Sequence, residues 1–152
     1  MRLLLQRVRG ARVVVDQAEV AAIGQGILLF VGIQPGDERL ELDRVAKRVT
    51  CLRIFPDDRD RMNRSLEEVG GEILIVSQFT LCADTSKGRR PSFITAADPR
   101  IAGDLFVEFA SAVERLGVPT KTGVFGAKMD VELTNDGPAT FLLDVAPPDP
   151  VR

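Results

Sequence analysis

Apolar residues recur along this chain first at strand spacing and then at helix spacing. Residues 3–8 are apolar with polar interruptions at Gln6 and Arg7, and 11–15 are rich in valine. Asp16-Gln17 marks a turn into a strand over 19–23, and Gly24-Gln25-Gly26 marks another into 27–33. That last stretch is apolar throughout, which predicts a strand buried on both faces. Gln34-Pro35-Gly36-Asp37 stops the sheet, and Asp37 is the expected N-cap of a helix over 38–51. Leu42, Val45, Val49 and Leu52 fall there at i, i+3, i+7 and i+10.

Further on, a short strand over 52–55 ends at Pro56, a charged loop covers 57–64, and Gly70-Gly71 precedes a strand over 72–79. Ile73 to Val76 lead straight into Ser77-Gln78-Phe79-Thr80, so these polar groups are expected at the end of a buried strand, in a rigid frame. Strand alternation predicts that Phe79 points away from the face shared by Gln78 and Thr80. Residues 83–97 read as a loop. Asp98-Pro99 supplies an N-cap and a first-turn proline for a helix reaching about Leu116, closed by Gly117. Its stripe is Ala102, Leu105, Phe106, Phe109, Val113 and Leu116. Strands are expected over 120–124, 129–134 and 139–145, the last two facing each other across the turn 135–138. The order predicts one α+β domain, a curved mixed or antiparallel sheet or a β-barrel with two main helices. The tail 146–152 carries three prolines in seven residues and reads as a frayed end.

Composition narrows the chemistry. At 152 residues the chain has the length of a single domain. Its 20 Lys and Arg against 22 Asp and Glu give a formal net charge of −2, which argues against a general polyanion binder and leaves room for a local basic site. Cys51 and Cys82 suggest neither a disulfide framework nor a metal spacing, and with no leader-like segment the expected location is the cytoplasm. There is no histidine. Ser-His-Asp and Cys-His nucleophiles are therefore excluded, as is any zinc site that depends on imidazole. An enzyme built from this sequence works with positioned amides, hydroxyls and backbone groups.

Six blocks carry a family resemblance across residues 1–145. They are Gln6-Arg7-Val8, Gly70-Gly71-Glu72, Ser77-Gln78-Phe79-Thr80-Leu81, Lys87-Gly88-Arg89-Arg90-Pro91-Ser92-Phe93, Gly123-Val124-Phe125-Gly126-Ala127-Lys128-Met129 and Asn135-Asp136-Gly137-Pro138-Ala139-Thr140. In this order they resemble the D-aminoacyl-tRNA deacylases, editing hydrolases that strip D-amino acids from mischarged tRNA. The resemblance implies a homodimer with its active site at the interface, no metal and no cofactor. It also implies a Gly-cis-Pro pair, here Gly137-Pro138, entering the partner's pocket and excluding L-amino acids by collision. Glycine, which lacks a side chain, would be accepted. Arg7 stands where the family's arginine braces that pair.

An aminoacyl ester is already activated, so such a site must position water, stabilise an oxyanion and select side chains. The resemblance implies that the tRNA's own ribose hydroxyl assists. Gln78 and Thr80, with Ser77 and the backbone of Phe79, are then the expected catalytic surroundings. Read alone, the same residues could simply satisfy hydrogen bonds at a strand end. A covalent role for Thr80 lacks a visible base. Phe125 and Met129 are candidate pocket walls, and Lys87, Arg89 and Arg90 the candidate contacts to acceptor-end phosphates. Three rivals remain open: a noncatalytic RNA-binding module, a small esterase that needs no RNA, and an interaction protein whose dimer is its function.

Overall fold

The computed structural model describes residues 1–146, so the expected frayed tail lies, beyond Ala146, outside the described residues. β1 (Arg2–Val15) is the axis of the molecule. Its first half pairs antiparallel with β3 (Gly26–Gly32), its second half with β2 (Ala18–Ile23), and its other edge with β8 (Asp130–Asp144). The two stretches separated in the sequence pattern at Arg9-Gly10 are thus one strand. The turn into β2 is tight: Asp16 and Gln17 both have positive φ, 49° and 68°, as a two-residue hairpin requires.

β3 runs parallel to β6 (Glu72–Ser77), and β6 parallel to β7 (Thr120–Thr122). Parallel neighbours need crossover connections. The first contains α1 (Leu42–Thr50) and the small hairpin of β4 (Phe55–Pro56) with β5 (Met62–Arg64); the second is built on α2 (Pro99–Arg115). The result is a single domain in which a six-stranded mixed sheet closes nearly into a barrel, with two helices packed on it.

β3 and β6 are buried on both faces, as the unbroken apolar run predicts. Ile27, Leu29, Val31, Ile73 and Ile75 join Val45 and Val49 of α1 and Phe106, Phe109 and Val113 of α2 in the larger core. Leu28, Leu74 and Val76 face the other way, into a second core with Val8, Val13 and Ile23. The backbones come so close that a Cβ on Gly26 would lie 1.8 Å from the Glu72 carbonyl oxygen, so only glycine fits there.

Three expectations are corrected. Asp37 does not cap α1: it opens a three-residue 3₁₀ turn (Asp37–Arg39), and α1 begins after Glu41. The Asp37 carboxylate is buried and accepts instead from the Met1 ammonium at 2.5 Å and the Gln34 N–H at 2.7 Å. A buried carboxylate is held by whichever donors neutralise it best, and an ammonium outranks a helix N–H. The charged loop ends early, because Met62–Arg64 pairs with Phe55–Pro56. Finally, 129–134 and 139–145 are not two strands of a hairpin. Both lie on β8, and both pair with β1. Each half finds its neighbour in a longer strand far back in sequence, which local turn signals cannot reveal.

The remaining boundaries follow local chemistry. The Asp98 carboxylate accepts from the Arg100 N–H at 2.9 Å, Pro99 opens α2, and Gly117 leaves it with φ 79°. β6 stops at Ser77, and Phe79–Cys82 coil into a 3₁₀ turn.

Candidate active site

Where β3 and β6 end side by side, a cavity of about 720 Å³ opens. Its walls are mainly apolar, contributed by Val31 near the end of β3 and Ile33 just after it, Val76 of β6, Phe93 and Ile94 of the long loop, Ala102 of α2, and Phe125 and Met129 of the segment before β8. Ser77, Gln78 and Asp98 supply polar edges. An apolar pocket with a few fixed polar groups is the usual form of a small-ligand site.

The strand-end turn is held from several sides. Gly32 lies so near it that a Cβ there would meet Cys82 Sγ at 2.9 Å and the Gln78 carbonyl at 3.1 Å. Arg2 donates through Nη1 to the Leu81 carbonyl at 3.1 Å and through Nε to Asp144 at 2.7 Å. The Thr95 hydroxyl donates to the Cys82 carbonyl, and Gln78 Nε2 donates to Thr80 Oγ1. Burial pushes the Cys82 thiol above its ordinary pKa, so it is a packing group and not a ready thiolate.

The expected catalytic residues are brought together, with one reversal. Ser77, Gln78 and Phe79 line the cavity, while Thr80 is exposed and reaches it only through Gln78. Phe79 was expected on the opposite face. The alternation argument fails because the strand has already ended at Ser77 and the 3₁₀ turn rotates Phe79 into the cavity. There its ring meets Phe93 edge to face, with centroids 5.0 Å apart. Phe125 and Met129 stand in the cavity wall. Phe125 leans on Phe106 of α2 at 5.9 Å, and Gly123 leaves room for the Met129 sulfur, which would lie 2.7 Å from a Cβ.

Lys87, Arg89 and Arg90 stand exposed at the tip of the 83–97 loop. Asp84 and Ser92 pinch that loop into a narrow finger by exchanging backbone hydrogen bonds of 2.8 and 2.9 Å. The Ser86 hydroxyl and N–H hold the Asp84 carboxyl below the ordinary aspartate value. The finger returns at Phe93 and Ile94, so its basic tip is tied to the cavity mouth. Ile94, Asp98 and Val31 line the cavity without having been expected there from the sequence. Phe93 and its neighbours in the Lys87–Phe93 block were the available signal.

Gly137 and Pro138 form a second feature, apart from their own cavity. They are exposed, joined by a cis peptide bond, and absent from its lining. Gln6 pairs with Thr140 and Val8 with Asn135, so β8 takes five steps where β1 takes two. The surplus residues leave the ladder, at a place where proline has no N–H to contribute. Arg7 is buried beneath them. Its Nε donates to the Asp136 carbonyl at 3.0 Å and lies 2.9 Å from the Asp136 carboxylate, while Nη1 donates to the Ile54 carbonyl at 2.5 Å.

Residues 4–144 match the family model described as D-Tyr-tRNA(Tyr) deacylase. A protein of Thermomicrobium roseum named D-aminoacyl-tRNA deacylase is 58% identical over 146 residues, covering 96% of this chain and 95% of that one. A protein of the same name from Desulfatibacillum aliphaticivorans is 51% identical, covering 95% and 99%. Among solved structures, one titled c-Myc DNA Unwinding Element Binding Protein superposes with a TM-score of 0.90 at 35% identity, covering 96% of this chain and 99% of that one. Another, titled as a probable eukaryotic D-amino acid tRNA deacylase, has a TM-score of 0.81 at 20% identity, covering 95% and 98%, and so shares the fold.

Proposed function

Because the chain belongs to the D-Tyr-tRNA(Tyr) deacylase family, we propose that it is an editing hydrolase that cleaves the ester of D-aminoacyl-tRNA. Water adds to the ester carbonyl, the bond to the ribose oxygen breaks, and that oxygen leaves with a proton. The products are a free D-amino acid and tRNA. One observation carries this reading: three of the six sequence blocks meet around one cavity, and two others meet at the Gly137-Pro138 loop.

At the cavity edge, Gln78 and the backbone around Ser77 and Phe79 hold the amino acid's polar groups, and Thr80 fixes the Gln78 amide. The tRNA ribose hydroxyl beside the ester helps activate the water. Neither role needs an imidazole, in keeping with a chain that has no histidine. The protein works as a homodimer in the cytoplasm, where charged tRNA is used. In it, the Gly137-Pro138 loop of one subunit enters the cavity of the other. This is supported by a loop that is exposed and stands outside its own cavity. Selection is by exclusion: the loop carbonyls collide with an L side chain, whereas a D side chain or the hydrogen of glycine escapes. Glycyl-tRNA mischarged on tRNA-Ala is therefore a second substrate. Lys87, Arg89 and Arg90 meet acceptor-end phosphates.

The test is a pair of hydrolysis time courses on one tRNA charged with D-tyrosine or L-tyrosine. Fast loss of the D ester with the L ester intact is expected. Cleavage of both would make the protein an unselective esterase. A second reading, nucleic-acid binding without catalysis, draws on the relative titled as a DNA unwinding element binding protein. Survival of both esters would favour it.

A further inference from the structure

Where β8 leaves the β1 ladder, the Arg7 carbonyl loses its cross-strand N–H. The Asn135 side chain fills the gap. Its Nδ2 donates to the Arg7 carbonyl at 3.0 Å and to the Ala139 carbonyl at 3.3 Å. One amide thus ties β1, the residue before the protruding segment and the residue after it. The other end of the same amide faces Gly137: a Cβ there would lie 2.8 Å from Asn135 Oδ1. Asn135 therefore ties both ends of the loop and sets its amide oxygen against Gly137.

The arginine beneath the loop holds a different atom set. Arg7 grips Asp136 by carbonyl and carboxylate, and Arg9, largely exposed, adds a 3.4 Å approach to the other carboxylate oxygen. These contacts fix the loop's entry. Among the described residues, only the Asn135 amide spans from entry to exit. Its two acceptors are backbone carbonyls, so a carboxylate of the same shape would set oxygen against oxygen.

We infer that Asn135 is a positioning residue for stereochemical selection, setting the height and tilt at which Gly137 and Pro138 are presented. It touches no reacting atom. This rests on the exclusion mechanism proposed above, and it assigns a task to a side chain that the sequence pattern marks only as one member of a block. Loss of the amide lets the loop sink or swing, so the L ester gains entry.

The experiment compares wild type with Asn135→Ala, Asn135→Asp and Asn135→Ser on D-tyrosyl and L-tyrosyl esters of one tRNA. Thermal unfolding and amide NMR spectra are recorded on the same proteins. The D-over-L ratio of kcat/KM is expected to fall about tenfold, chiefly because L hydrolysis rises, in line with the removal of one or two hydrogen bonds. Amide signals of Gly137 and Ala139 should shift while those of Ile73 to Val76 stay. A purely structural residue would lower both rates together and keep the ratio. An unchanged ratio in folded variants of a selective wild type overturns the inference. If wild type itself does not discriminate, the proposed function falls instead. The positioning role is then judged on the Gly137 and Ala139 signals, and is overturned if they do not move. Gly137→Ala adds a control: its effect on those signals should be smaller in the Asn135→Ala background, which removes the oxygen its Cβ meets.

Discussion

Arg7 Nε donates to the Asp136 carbonyl at 3.0 Å and faces its carboxylate at 2.9 Å, although the two residues are 129 positions apart. Through Nη1 the same guanidinium reaches the Ile54 carbonyl, so β1, the loop within β8 and the segment before β4 share one buried cation.

Removing that cation leaves a carboxylate and two carbonyls short of partners. Arg7→Ala should lower stability by about 3 kcal/mol, within the range for breaking a buried pair on one side. Urea unfolding measures it. The folded fraction should also show a reduced preference for D over L esters, since the loop loses its support. A variant with unchanged urea midpoint would mean that the bridge contributes little.

Gly26→Ala is expected to be the most damaging single-methyl addition in the sheet. The Cβ would sit 1.8 Å from the Glu72 carbonyl oxygen, between the parallel strands β3 and β6. No side chain can move aside, because the obstacle is backbone. A loss above about 4 kcal/mol is expected, or failure to accumulate as folded protein. Soluble yield and circular dichroism decide it.

In the proposed reaction Thr80 holds Gln78 and does not act as a nucleophile. Thr80→Val, which keeps the shape and removes the hydroxyl, should reduce kcat on D-tyrosyl-tRNA by roughly three- to tenfold, the scale of a single hydrogen bond. A covalent hydroxyl would instead make the loss nearly complete. Full activity in Thr80→Ala would eliminate both roles.

If the finger at Lys87, Arg89 and Arg90 meets phosphate, a charge reversal of Lys87 with Arg89 should raise KM for charged tRNA. It should also flatten the salt dependence, by a slope of about one for each phosphate no longer neutralised. Turnover at saturation should change little. Identical KM and salt slope in the variant would remove the finger from the tRNA interface.

Acid should weaken the surface loops first. The backbone N–H groups of Arg61 and Arg59 hold the Asp57 carboxyl below its ordinary value, and the Ser65 N–H does the same for Glu68. Folded-state values lie below unfolded ones, so the stability they add is present above the ordinary carboxylate range. It is lost as pH falls through the depressed folded values. Melting curves taken downward from neutral pH should show the loss, and Asp57→Asn should flatten it. Equal slopes in both proteins would show that Asp57 is not the sensor.

Much of this was written locally. The unbroken apolar run of β3 specified a strand covered on both sides, because no single face of it could meet water. Asp98, Pro99 and Gly117 set the ends of α2 by hydrogen-bond chemistry confined to a few residues. The absence of histidine ruled out whole classes of mechanism, and six ordered blocks identified the family. What the sequence did not decide depended on distant partners. Asp37 read as a helix cap until an ammonium from the start of the chain claimed its carboxylate. Asn135 to Pro138 read as a hairpin turn until β1 proved long enough to pair with both flanks. Phe79 read as facing away until the strand ended at Ser77 and a 3₁₀ turn carried its ring to Phe93. Periodicity and caps are properties of neighbours in the chain. A buried charge, a shared strand edge and a cavity are settled by whichever distant groups complete them, and only the folded molecule brings those together.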